Sequence, residues 1–180
     1  MNQDIQSFTI SIYTENNIGL LNRISAIFQR RHINIESLTT SQSEIDGVNR
    51  FVIVVNICEE QALKIVKQIE KQVETIRAFY HTEDQTIFTE SSMFKIKSDL
   101  LFNEPQIQNL IKESNARIVT VNPEFFVLEK SGRRVEIEAL RKELSVYGIM
   151  QFVRSGRIAV TKEEMRITEM LQAQAFNNKY

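Results

Sequence analysis

A chain of 180 residues with 42% apolar and 25% charged side chains has the make-up of a soluble globular protein of one or two domains. A net charge of −1 and a pI near 6.2 exclude global electrostatic attraction to nucleic acid or acidic lipid, so neither is expected as a partner. The lone Cys58 excludes an intrachain disulfide framework, no apolar run nears the ~20 residues of a membrane span, and MNQDIQSFTI lacks the segments of a secretory signal; a cytoplasmic location is expected.

FTISIY at 8–13 alternates, with Phe8, Ile10 and Ile12 on one face, and predicts a half-buried strand. The polar run TENNIG leads into LLNRISAIFQRR, where Leu20, Ile24, Ile27 and Phe28 recur at helical spacing. Ile33 and Ile35 open a second strand running to about Gln42, and Asp46-Gly47 marks a hairpin turn. RFVIVVNI carries a continuous apolar run, as a central strand buried on both faces would. A second helix over 59–73 turns Ala62, Ile65, Val66 and Ile69 inward, and 75–81 gives a fourth strand. The order βαββαβ is the ferredoxin-like pattern.

The pattern then recurs. MFKIK at 93–97 predicts a strand, and Pro105 opens a helix with Ile107, Leu110 and Ile111 inward. Strands follow at 117–121 and 125–129 around an Asn122-Pro123 turn, then a helix carrying Val135, Ile137, Leu140 and Leu144. Segments 149–154 and 157–161 flank the Ser155-Gly156 turn. The fold class is therefore α+β: two tandem ferredoxin-like βαββαβ domains, over 8–83 and 84–162, with a tail at 163–180 that is helical and then frays at NNKY. Halves of ~80–90 residues bury little surface and leave edge strands open, so a homodimer is expected.

One constellation has the character of a binding site. Glu15-Asn16-Asn17-Ile18-Gly19-Leu20 lies between the first strand and the first helix, where free backbone N–H groups favour a carboxylate. Gly19 lets a ligand approach the backbone, and the asparagines offer both donors and acceptors. Asn34 follows the same helix. The competing reading makes Asn16 or Asn17 a helix cap, Gly19 a turn residue and Asn34 a surface residue. His32, His81 and Cys58 have no metal-ligand spacing, and no catalytic constellation is seen, so catalytic and metal residues are expected to be absent. An RNA-binding module of the same fold is not supported, because RFVIVVNI lacks stacking aromatics and the chain is not basic.

Glu15-Asn16-Asn17-Ile18-Gly19-Leu20-Leu21, Arg23-Ile24, Phe28-Gln29-Arg30-Arg31 and Asn34-Ile35-Glu36-Ser37-Leu38-Thr39 together resemble the ACT domain of acetolactate synthase small subunits. Arg117-Ile118-Val119-Thr120-Val121-Asn122-Pro123 and Val153-Arg154-Ser155-Gly156-Arg157 are similar to the C-terminal domain of that family. The resemblance implies a non-catalytic regulatory dimer that activates a catalytic large subunit and confers feedback inhibition by valine or another branched-chain amino acid. It carries Asn16, Gly19 and Asn34 over as effector-binding residues, with Leu20 and Ile35 as backbone or apolar contributors. It implies no cofactor in this chain and a large subunit carrying thiamine diphosphate, Mg²⁺ and FAD. A stand-alone ACT-type sensor acting on another enzyme or on transcription is the alternative.

Overall fold

The backbone of the first domain is organised by strand β1 (Gln6–Glu15), which pairs along its whole length with β3 (Val48–Ile57), from Gln6↔Ile57 to Glu15↔Val48. Period-two alternation puts Phe8, Ile10 and Ile12 on the same face as Phe51, Ile53 and Val55, all 3% exposed or less. Helices α1 (Leu20–Gln29) and α2 (Glu59–Ile69) cover that face. Leu20, Ile24, Ile27 and Phe28 from α1 and Ala62, Ile65, Val66 and Ile69 from α2 enter the same core. With β2 (Ser37–Gln42) and β4 (Thr75–Thr82) on its edges, the antiparallel sheet has the order β2-β3-β1-β4.

The computed structural model describes residues 4–177. Among them, residues up to Ile87 and from Arg157 onward form one compact unit, and Phe88–Gly156 forms another. The second unit repeats the arrangement, with β5 (Thr86–Lys97) starting at its boundary. Its other elements are α3 (Ser98–Asn103), α4 (Pro105–Glu113), β6 (Arg117–Val121), β7 (Phe125–Gly132), α5 (Arg134–Ser145) and β8 (Ile149–Arg154). The order β6-β7-β5-β8 matches that of the first sheet, and β9 (Ile158–Thr161) adds to β5. Phe94, Ile96, Phe126, Leu128, Ile137, Leu140 and Leu144 form its core. The α+β class and the tandem ferredoxin-like organisation are as expected from the sequence.

Several details differ from the sequence reading. The division between the units falls at 87/88, within the polar stretch 81–90, but that stretch holds the end of β4, a 3-10 turn (Glu83–Gln85) and the start of β5, so a strand rather than a linker crosses it. The second strand begins at Ser37; His32, at φ +53, ends α1 in the left-handed region, and Asn34 and Ile35 stay in the connection. Of the apolar residues noted on α5, Val135 is 80% exposed because it lies across the helix from the buried Ile137, Leu140 and Leu144.

Residues 157–162, expected in the second domain, instead pack with the first. Arg157 is 6% exposed, and its guanidinium donates to Thr9 Oγ1 at 2.9 Å and to Glu83 Oε1 at 2.8 Å. Thr39 Oγ1 donates to the Arg157 carbonyl at 3.0 Å, and Arg50 donates to the Ala159 carbonyl. Helix α6 (Ile167–Asn177) seats Leu171, 1% exposed, against Tyr13 and Val48, with Ile45, Ile76, Phe79 and Ile167 around them. This C-terminal arm thus packs on the sheet face opposite α1 and α2, which accounts for a first-unit sheet dressed on both sides. Within the tail expected at 163–180, residues 167–177 are α6, which includes Asn177 of the NNKY run expected to fray; residues 178–180 of that run lie outside the described residues.

Truncating a buried leucine removes transfer energy and leaves a cavity. Leu171→Ala is expected to destabilise the first unit by about 2 kcal/mol, the low end for a leucine because its cluster is small. Chemical denaturation of the full chain checks this; an unchanged transition would mean that the arm does not pack in solution.

Candidate effector site

The β1–α1 connection leaves the sheet at Glu15 and is held on both flanks. The Glu15 N–H donates to the Glu74 carbonyl at 2.9 Å, and the Asn16 N–H donates to the Gly47 carbonyl at 3.0 Å. The Glu74 carboxylate pairs with Arg23 in the first turn of α1. One residue therefore ties the end of β1 through its backbone and the start of α1 through its side chain. Its own backbone N–H, and then the Arg23 guanidinium, hold the Glu74 carboxyl below the usual carboxylate range.

Gly19 precedes α1 with φ +84 and ψ 0, a left-handed conformation that L side chains adopt only with strain. A Cβ there would meet nothing within 4 Å, so the position is open as well as left-handed. No side chain caps the helix. The reading of Asn16 or Asn17 as a cap is thereby set aside: Asn17 Nδ2 donates to Glu15 Oε2 at 3.1 Å, and Asn16 Oδ1 accepts from Asn49 Nδ2 at 2.9 Å. The first-turn N–H groups of α1 are donors without an intrahelical carbonyl, at the positive end of the helix dipole. A carboxylate seated beside Gly19 satisfies both conditions.

The other residues singled out from sequence are placed as follows. Leu20 is 2% exposed within the core, which leaves only its backbone N–H for a ligand. Ile35 is half-buried and packs against the core. Asn34 is exposed, and its Nδ2 donates to Glu36 Oε1 at 3.1 Å. Within one chain Asn34 does not meet Asn16. The Asn16 N–H bonds Gly47, whereas the Glu36 N–H bonds Val54 at 2.9 Å, seven residues further along β3. At ~3.3 Å per residue these anchors are about 23 Å apart. Beside the loop, Ile18 is 100% and Leu21 44% exposed, an apolar rim that a single chain leaves in water.

Asn49 and Glu74 were not found from the sequence. Both act through pairings between segments far apart in the chain, and no local pattern marks them. Cys58 is buried and sits at the start of α2, where its backbone N–H and thiol both meet Gln61 Oε1. Burial holds the His81 pKa below the usual histidine range, offset in part by Glu163. Among the described residues no group of three or more His, Cys, Asp or Glu is placed to hold a metal, and no helix is long and apolar enough to cross a membrane.

Two family models match this chain. An "AHAS small subunit-like ACT domain" covers residues 10–77, and "small subunit of acetolactate synthase" covers 89–163. The acetolactate synthase small subunit of Mycolicibacterium smegmatis is 30% identical over 162 residues, 90% of this chain and 95% of that one. That of Bacillus subtilis is 31% identical over 154 residues, 85% and 89% of the two chains. The crystal structure of the Thermotoga maritima small subunit superposes with a TM-score of 0.80 at 25% identity, covering 89% of this chain and all of the other. Both ferredoxin-like halves and nearly the full length are shared. The chain belongs to the acetolactate synthase small-subunit family, the regulatory subunits of that enzyme, and its first domain is an ACT domain.

Proposed function

We propose that this chain, as a homodimer, activates a catalytic acetolactate synthase large subunit and makes it subject to feedback inhibition by valine or a related branched-chain amino acid. The observation that carries the reading is the open, left-handed Gly19 at an uncapped helix start, with Asn16 beside it. Backbone donors and the helix dipole suit the α-carboxylate of an amino acid. Asn34 lies too far away in the same chain to complete the site, so the ammonium group is met by the Asn34 of a second protomer. The exposed Ile18 and Leu21 are then covered at that interface and provide an apolar wall for the aliphatic tail. On this reading the domain expected over 8–83 does the sensing, and the one expected over 84–162, whose last residues 157–162 pack with the first unit, completes the subunit.

The chemistry itself belongs to the large subunit, which is expected to carry thiamine diphosphate, Mg²⁺ and FAD. The role of this chain is allosteric. The effector must bind two states of the assembly with different affinity, a coupling of typically ~1–3 kcal/mol. Location in the cytoplasm follows from that partnership.

The defining experiment mixes the full chain with a purified large subunit and follows acetolactate formation with and without each branched-chain amino acid. Stimulation that a branched-chain amino acid reverses is expected; a large subunit indifferent to the chain would overturn the reading. Gly19→Asp is expected to keep the stimulation and abolish the inhibition, because a carboxylate would occupy the place of the effector's own; an unaltered dose response would put the site elsewhere. Asn34→Ala is expected to weaken valine binding by about 1–3 kcal/mol, read by calorimetry; equal affinity in parent and variant counts against its role.

The Glu74 tie carries a pH signature. Its folded-state pKa is depressed, so its contribution is fully present above the ordinary Glu range and is lost as pH falls through the lower folded value. Amide exchange at residues 15–17 is thus expected to keep its protection down to about pH 5 and to lose it only in stronger acid. In Glu74→Gln the protection is expected to be weak already at pH 7; a variant as protected as the parent would rule out the tie.

A further inference from the structure

The three asparagines near the site do not present the same atoms. A side-chain amide has an acceptor oxygen on one branch and a donor NH₂ on the other, so whatever engages one branch decides which is left for a ligand. An ionised carboxylate can only accept. Asn34 therefore has to turn its NH₂ to Glu36 Oε1, at 3.1 Å, and keeps its oxygen free. Asn17 is fixed in the same sense by Glu15 Oε2, at 3.1 Å. Asn16 is the opposite: its Oδ1 accepts from Asn49 Nδ2 at 2.9 Å, which leaves its NH₂. Asn49 is half-buried on β3, opposite Thr14 in the register of the pair and on the helix side of the sheet.

We propose that Asn49 and Glu36 are positioning residues that set opposite polarities on Asn16 and Asn34, so that one amide donates to the carboxylate and the other accepts from the ammonium group of an α-amino acid. Resting on the effector site proposed above, this adds how that site tells a zwitterion from other small acids. It also assigns the two adjacent asparagines different roles. Asn16, beside the uncapped helix start, offers the donor that a carboxylate requires. Asn17, held by Glu15, presents an oxygen that would repel it.

The test is a pair of double-mutant cycles on the full-length chain, with valine binding read by calorimetry. Asn49→Ala is expected to weaken valine about three- to tenfold, and to add nothing once Asn16 is alanine. Glu36→Gln is expected to weaken it by a similar factor, and to add nothing once Asn34 is alanine. Asn49→Asp supplies only an acceptor and reverses the Asn16 amide, so it is expected to be worse than Asn49→Ala. That ranking is expected to persist at about 0.5 M salt, where through-space repulsion is screened to a few ångströms. Valinamide, whose carboxamide accepts either sense of Asn16, is expected to lose less than twofold with Asn49→Ala. Effects that add in full, or an Asn49→Asp variant that binds as well as the parent, would overturn the assignment while leaving the effector site standing. A parent chain that binds no branched-chain amino acid would remove the functional reading and this inference with it.

Discussion

The ten-residue antiparallel register between β1 and β3 is the constraint from which the functional geometry follows. Each residue pair from Gln6↔Ile57 to Glu15↔Val48 is fixed, and a slip by one residue would turn Phe8, Ile10 and Ile12 out of the core. Burial of β3 on both faces makes that slip still less favourable. With the register set, one end of the pair delivers Glu15 and Asn16 beside Gly47 and Asn49. The other end receives Glu36 at Val54. The loop and the α1–β2 connection are thereby held at opposite ends of the sheet, and neither can drift towards the other without breaking the ladder.

That separation bears on the character of the protein. A site whose halves are about 23 Å apart in one chain can be completed only by a second chain, so effector binding and dimer geometry become linked on the proposed reading. The exposed Ile18 and Leu21 belong to the same argument, because side chains of that size are stabilised only when something covers them. The loop itself is tethered rather than rigidly packed. Glu74 grips it from both sides, while Gly19 leaves open space beside the backbone.

Much of this was legible in the sequence, and for identifiable reasons. Local periodicity identified the core faces of α1 and α2 residue by residue, since Leu20, Ile24, Ile27 and Phe28 bury where a 3.6-residue repeat puts them. Gly19 was readable because a glycine between turn residues and a helical run marks a backbone conformation that residues with a Cβ avoid. What was missed depends on long-range pairing. Asn49 and Asn16 are brought together by a register between strands separated by a helix and another strand, and Glu74 meets Arg23 across 51 residues. The division between the units falls at 87/88, within the polar stretch, but its strand character was hidden because the start of β5, TIFTE, has the composition of a linker until it is paired. The burial of Arg157 was invisible for the same reason: its partners Thr9 and Glu83 lie 148 and 74 residues away.

The returning arm gives the chain a topology that the two-domain description conceals. The second unit is inserted between β4 with its following turn and the arm, so the chain passes between the units twice, near residues 87 and 156. Arg157 locks the second passage to the first sheet immediately after it is made, and a guanidinium that deep is held only while Thr9 and Glu83 answer its charge and donors. Arg50, next in sequence to Asn49, reaches the opposite face of the same strand and bonds the arm at Ala159. Adjacent residues of β3 thus face the β1–α1 loop on one side and the arm on the other, because a strand alternates its side chains. On the proposed reading, a ligand at Asn16 bears on β3 through Asn49, next to the Arg50 that bonds the arm at Ala159. It is the pleat of a single strand, rather than a chain of side chains, that joins the two.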